Sequence, residues 1–179
     1  MNLLNNILME KVFESLDEAK KDINTNSSYA NKNNSKNQIV VDVSSCIAGR
    51  VCSRISKLLL QGNRVTIVNS EKAMISGNRY KTIDDYKKRL EVSSITNPIH
   101  GPYHPRRPDR ILTKMVRGMT PRKKSSGISA FRRLRVYIGI PVEFRSNEIK
   151  IFDDTKITKP ESYYITIGDI AKQIGWKGE

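Results

Sequence analysis

A chain of 179 residues with 37% apolar side chains can bury one ordinary core but not two. No apolar run approaches the roughly 18 residues that a membrane-spanning helix needs, and the start, MNLLNNILMEKVFESLDEAKKD, lacks a basic n-region and a small-residue cleavage site while carrying acids that a mitochondrial transit peptide avoids. The formal charge of +14 is lopsided: residues 100–137 hold eleven Lys or Arg against the single carboxylate Asp109, and no other stretch comes close, so a polyanion is the implied partner.

Taken in chain order, residues 8–22 fit a short amphipathic helix through Leu8, Val12 or Phe13, Leu16 and Ala19, read as a marginal appendage or a docking helix. Residues 24–38 (NTNSSYANKNNSKNQ) offer no apolar period and read as a disordered linker. The expected organisation is therefore an extension over 1–37 and one domain over 38–179. Ile39-Val40-Val41-Asp42-Val43 is a β-branched run suited to a strand buried on both faces. Ser44 or Ser45 is expected to cap a helix with apolar stripe Ile47, Val51, Ile55, Leu58 and Leu59, ended by Gly62. Arg50, Arg54 and Lys57 form its basic outer face, and the lone Gly49 is expected to permit close helix-to-sheet packing. A second buried strand, Val65–Val68, makes a right-handed strand-helix-strand unit and an α/β fold with a parallel sheet. Cys46 and Cys52, six apart in the expected helix, are placed wrongly to bridge and read as reduced core residues of a cytosolic protein.

Further on, Ala73-Met74-Ile75 is a short apolar piece before a Gly77-Asn78 turn. Thr82-Ile83-Asp84-Asp85 reads as a capping box opening a helix with Ile83, Tyr86 and Leu90 inward. After four prolines between 98 and 108, a third helix fits residues 109–117, with Ile111, Leu112, Met115 and Val116 inward and Arg110, Lys114 and Arg117 outward; Gly118 and Pro121 end it. A short helix around Ile128 and Phe131 leads to a strand, Arg135–Gly139, expected beside the first strand. Thr166-Ile167-Gly168-Asp169 caps a closing helix stopped by Gly175.

Catalytic constellations are missing from this pattern. His100 and His104 have metal-ligand spacing, but Pro102 and Pro105 forbid a helix there and the surrounding cations repel a metal ion. Neither GxGxxG, GxxxxGK[ST] nor GxSxG occurs. The expectation is a protein that is no enzyme, with no cofactor, no metal, no small-molecule substrate and no membrane partner. The basic segment instead divides into a Pro-bounded arm (Arg106, Arg107), a helix face (Arg110, Lys114, Arg117) and a loop (Arg122, Lys123, Lys124), a set suited to an irregular phosphate surface. His100, Tyr103 and His104 add stacking and hydrogen-bonding capacity, which favours folded RNA over duplex DNA. The expected RNA-contacting set is completed by Arg132 and Arg133 after the loop and by Arg50 and Arg54 on the first helix.

Three stretches carry a resemblance: Val68-Asn69-Ser70-Glu71-Lys72-Ala73 with Ser76-Gly77-Asn78; Asn97-Pro98 with Gly101-Pro102-Tyr103-His104-Pro105-Arg106 through Met115-Val116-Arg117-Gly118-Met119-Thr120-Pro121; and Leu134-Arg135-Val136-Tyr137-Ile138-Gly139-Ile140-Pro141. From about Ile39 to Trp176 the chain resembles the archaeal and eukaryotic branch of the large-subunit ribosomal protein L-thirteen (uL-thirteen) family, in its archaeal form. The resemblance implies a three-layer α/β/α domain around a four-stranded parallel sheet. It also implies a cytoplasmic, ribosome-bound protein that binds and organises large-subunit ribosomal RNA beside neighbouring ribosomal proteins. Arg106, Arg107, Arg110, Arg117 and Arg122 to Lys124 are the positions it places against RNA. Thr120, where that family often has Leu, and the first 38 residues depart from the pattern. An off-ribosome RNA-binding regulator of translation is the alternative function.

Overall fold

The computed structural model describes residues 38–178; the helix expected over 8–22 and the linker up to residue 37 lie outside the described residues. Among the described residues five α-helices and six strands follow one another: β1 (Gln38–Asp42), α1 (Ala48–Leu60), β2 (Arg64–Val68), β3 (Met74–Ser76), α2 (Arg79–Glu91), α3 (Pro108–Met119), α4 (Ser125–Phe131), β4 (Leu134–Val136), β5 (Ile149–Lys150), β6 (Tyr164–Thr166) and α5 (Ile167–Gln173). Four strands make a parallel sheet in the order β4-β2-β1-β5, so the α/β class and the four-stranded parallel sheet are as expected. One neighbour relation is not. The late strand pairs with β2 rather than β1, because β2 is the strand it has just left through α3 and α4 and one edge of β2 is still open. The remaining edge of β1 is taken by β5, whose two residues are too few to show any periodicity.

Register aligns Ile39 with Val65 and Leu134, and Val41 with Ile67 and Val136, so these six share one face of the sheet. They meet Val51, Cys52, Ile55 and Leu59 of α1, Ile111, Leu112 and Val116 of α3, and Ala130 of α4 in a single core. Each such aliphatic side chain, fully buried, contributes about 1.5–3 kcal/mol. On the opposite face Val40, Thr66 and Val68 are also buried, which is why both strands read as unbroken apolar runs. Cys46 and Cys52 are buried free thiols; desolvation pushes the Cys52 thiol up to about 12, so it stays protonated and inert.

Helix starts differ from the expected ones. Neither Ser44 nor Ser45 caps α1: the N-cap is Ile47, without a side-chain cap, and its own amide donates to the Thr155 carbonyl at 2.8 Å. Cys46 accordingly lies ahead of the helix, bridged to Lys156. Ser44 is drawn away by Asp42, whose Oδ1 accepts from the Ser44 amide (2.9 Å), the Ser44 hydroxyl (2.8 Å) and Asn69 Nδ2 (3.0 Å). For α2, Asn78 and not Thr82 is the cap: its Oδ1 accepts from the Tyr80 amide at 3.0 Å, and Thr82 sits inside the first turn. No residue of α2 is fully buried, but Tyr86 and Leu90 pack half-buried against the core. Thr166 caps α5 as expected, accepting from the Asp169 amide at 3.1 Å. Gly62, at φ 101°, ends α1 in the conformation that disfavours a side chain. Gly49, by contrast, makes no close approach: a methyl group there would meet nothing within 4 Å. The antiparallel pair β3–β6, which turns the Ala73–Ile75 piece into a strand, has no counterpart in the sequence expectations because both strands are three residues long.

Asp42 joins the C-terminal ends of β1 and β2, since Asn69, held at φ 56°, also donates its amide to Gly139 beyond β4 at 2.9 Å. Burial raises the Asp42 carboxyl, but the hydrogen bonds from Asn69 and Ser44, with Lys72 nearby, outweigh it and hold the group below its ordinary range. A carboxyl lowered in the folded state adds stability above the unfolded value of about 3.9 and loses it as pH falls through the folded one. Asp42→Asn is therefore expected to cost about 1–2 kcal/mol in urea unfolding near neutral pH, and the gap between the two proteins should narrow as pH falls below the ordinary carboxylate range. Gly49→Ala is expected to raise stability by about 0.5–1 kcal/mol in the same assay, since the helix gains a better former and no clash.

Candidate nucleic-acid interface

The segment 92–133 leaves the body as an arm and returns through α3 and α4. Within the arm, Asn97 accepts from the Ile99 amide at 3.1 Å to cap a single 3-10 turn, Pro98–His100. Two cationic or ionisable side chains then tie the arm down. His104 Nε2 lies 2.9 Å from the Val92 carbonyl, and Lys114 Nζ donates to the Tyr103 carbonyl at 3.1 Å. Pro108 occupies the first helical position of α3, where its missing N–H costs nothing. Asp109 sits in that first turn, with 15% of its side chain exposed, between Arg107 Nε at 3.3 Å and Arg110 Nε at 3.8 Å. The one acid of the segment thus organises two arginines and fits the positive end of the helix dipole.

α3 runs two residues beyond the expected end, taking in Gly118 and stopping at Met119. The turn that follows is shaped by Gly127. A methyl group on Gly127 would lie 2.1 Å from the Pro121 carbonyl oxygen, so only glycine lets the 121–124 loop fold down on α4. The Lys124 amide donates to that same Pro121 oxygen at 3.2 Å, and Arg122, Lys123 and Lys124 are left exposed.

Arg110, Lys114, Arg117 and Arg122 line one groove with Tyr103 and Phe131, and its continuation past Arg117 and Arg122 adds Lys123. Among the described residues no carboxylate lines either part. The helix face and the loop, separate in sequence, are therefore one surface. Arg107 and Arg106 are exposed on the arm, the latter with its guanidinium over Gly175 at the end of α5. His100 is exposed at the end of the 3-10 turn, and Arg132 is exposed after α4, neither lining the groove. Arg50 and Arg54 stand on α1, outside it; Arg54 is paired with Asp154 at 2.5 Å.

Arg133, expected to contact RNA, also has a structural partner. Half-buried, it donates from Nη2 to the Leu59 carbonyl at 2.6 Å, satisfying the C-terminal end of α1, while its Nε is buried without a partner among the described residues. A cation there serves the helix terminus. Sequence reasoning also passed over Phe131 as a groove wall, and over Arg79, Lys159, Tyr80 and Tyr163, which line a different cleft; Arg79 and Lys159 lie outside the dense charge run that drew attention.

An α/β body bearing a groove lined by Arg and Lys, with no acid among its described lining residues, has the surface charge expected of proteins that bind a phosphate polymer. The sequence model of the family described as Ribosomal protein L13 matches residues 36–143, and the chain belongs to that family. Among curated relatives, the "Large ribosomal subunit protein uL13" of Methanococcoides burtonii is 42% identical over 139 residues, covering 77% of this chain and 98% of that one. Those of Archaeoglobus fulgidus (40% identical; 78% and 88% covered) and Aeropyrum pernix (42%; 79% and 92%) carry the same name.

Two substitutions separate structural from surface cations. Arg133→Ala is expected to cost about 1–3 kcal/mol in chemical unfolding, as a charge-assisted bond to a helix end is removed, whereas Arg132→Ala should stay within about 0.5 kcal/mol of the parent. Gly127→Ala should cost about 1–3 kcal/mol by overpacking in the same measurement.

Proposed function

We propose that this chain is a structural constituent of the large ribosomal subunit, binding and organising ribosomal RNA during subunit assembly and in translation. The observation that carries this reading is the groove of Arg110, Lys114, Arg117 and Arg122 with the adjoining part that adds Lys123, the two sharing Arg117, Arg122 and Phe131 and neither lined by a carboxylate among the described residues. So dense a positive surface repels itself unless an anion lies on it, and guanidinium forks match phosphate oxygens in pairs. Membership of a large-subunit ribosomal family supports ribosomal RNA as that anion. Arg106 and Arg107 on the arm, Lys124 in the loop, and Arg132, Arg50 and Arg54 around the body extend the interface, with His100 and Tyr103 supplying rings for exposed bases. His104 and Lys114 act partly by fixing the arm. Residues 1–37 form an extension to one domain over 38–179, which works in the cytoplasm, bound to the ribosome beside other large-subunit proteins.

The test is binding of the full chain to a large-subunit RNA transcript across a salt series. Affinity should fall steeply with salt. Replacing Arg110, Arg117 and Arg122 by Gln should reduce the log-log slope by about 0.7–0.9 for each phosphate that is no longer neutralised, with the unfolding midpoint unchanged. An unaltered slope would show that the groove faces away from RNA.

A further inference from the structure

A second cleft opens between the Gly77–Tyr80 turn and the 158–163 segment, sharing no lining residue with the groove. Three cations stand around it, Arg50 from α1, Arg79 from the start of α2 and Lys159 from the opposite wall. Two tyrosines are left in solvent there, Tyr80 at 83% and Tyr163 at 59% exposure. The walls are fixed to each other: Ser76 pairs with Tyr164 across β3–β6, and the Gly77 amide donates to the Tyr163 carbonyl at 3.1 Å. Lys159 Nζ lies 5.6 Å from the Tyr163 ring centroid, which holds a cation beside an aromatic face. Among the described residues the acid in ion-pair contact with a cation of the cleft is Asp169, 3.6 Å from Arg79, with both side chains well exposed and the pair correspondingly weak; Glu161 belongs to the 158–163 segment without lining the cleft.

We propose that this cleft is a second RNA-binding site, taking a short unpaired stretch of ribosomal RNA whose bases stack on Tyr80 and Tyr163 and whose phosphates meet Arg50, Arg79 and Lys159. Exposed rings held on rigid walls lose little freedom when a base settles on them, and stacking of this kind is tolerant of sequence. A duplex keeps its base faces covered and could use only the cations, so the two exposed tyrosines select an unpaired strand. The cleft's lining carries no carboxylate, so a basic ligand is disfavoured and an anionic one drawn in.

The proposal rests on the ribosomal reading, and the experiment keeps the two apart. The full chain is bound to a thiouridine-substituted large-subunit RNA transcript, irradiated, and the crosslinked peptides are mapped. Crosslinks at Tyr80 or Tyr163, in addition to those in residues 100–137, are the expected result. Crosslinks confined to 100–137 overturn the second site and leave the groove standing; a chain that does not retain the transcript overturns both. In direct binding, Tyr80→Ala and Tyr163→Ala should each weaken affinity about tenfold, while Tyr80→Phe, which keeps the stacking face, should bind as the parent does. Equal binding by Tyr80→Ala and Tyr80→Phe would also overturn the site.

Discussion

Parallel pairing governs the rest of this molecule. Two parallel neighbours cannot be joined by a tight turn, because the chain must travel back the length of the strand before pairing again. Between β1 and β2 that return is α1 alone. Between β2 and β4 it is everything from residue 69 to residue 133, and the arm, α3, α4 and the 121–124 loop are all part of this one crossover. The cationic groove is the outer surface of a connection that the sheet requires. Its inner surface, Ile111, Leu112, Val116 and Ala130, is held in the core by burial, so the cations outside are presented on an element anchored to the sheet.

That arrangement also explains how the chain tolerates its own charge. Like charges packed into one segment repel, and the repulsion must be met by interactions that do not depend on the ligand. Three of the segment's polar groups answer it with backbone carbonyls: His104 on Val92, Lys114 on Tyr103 and Arg133 on Leu59. Asp109 answers it with charge, shared by two arginines. At the far end of the sheet Asp42 and Asn69 perform the corresponding task for strand ends, closing β1 and β2 to the turn after β4. Lys114 and Arg110 therefore steady the arm and the helix start while still lining the groove.

Much of the body was legible because its signals are local. Two β-branched runs bounding an amphipathic helix announce parallel strands, since burial on both faces removes the polar alternation. The helix faces Ile111/Leu112/Val116 and Arg110/Lys114/Arg117 are separated by the helical period itself. Thr166 and Asp169 identify the closing helix because a hydroxyl three residues ahead of an amide is close enough to cap it in any context. Where a competing acceptor lay nearby, the same logic failed: Ser44 bonds Asp42 instead of capping α1, and Asn78 reaches the α2 amides before Thr82 can. Gly49 and Gly127 show the other limit, for a glycine's neighbour across the fold leaves no mark beside it in the chain.

By itself, then, the amino-acid order determined the α/β class, the helix faces, the concentration of cations between residues 100 and 137 and the kind of ligand they require. Each of these follows from periodicity or composition within one stretch. Tertiary structure decided which edge of β1 and β2 received β4 and β5, that the helix face and the loop share one groove, that Arg133 bonds the end of α1, and that Arg50, Arg79 and Lys159 meet around two tyrosines. The reason is distance along the chain. Residues 50, 79 and 159 become neighbours only when β3 pairs with β6, and a three-residue strand carries too little pattern to announce its partner ninety positions away.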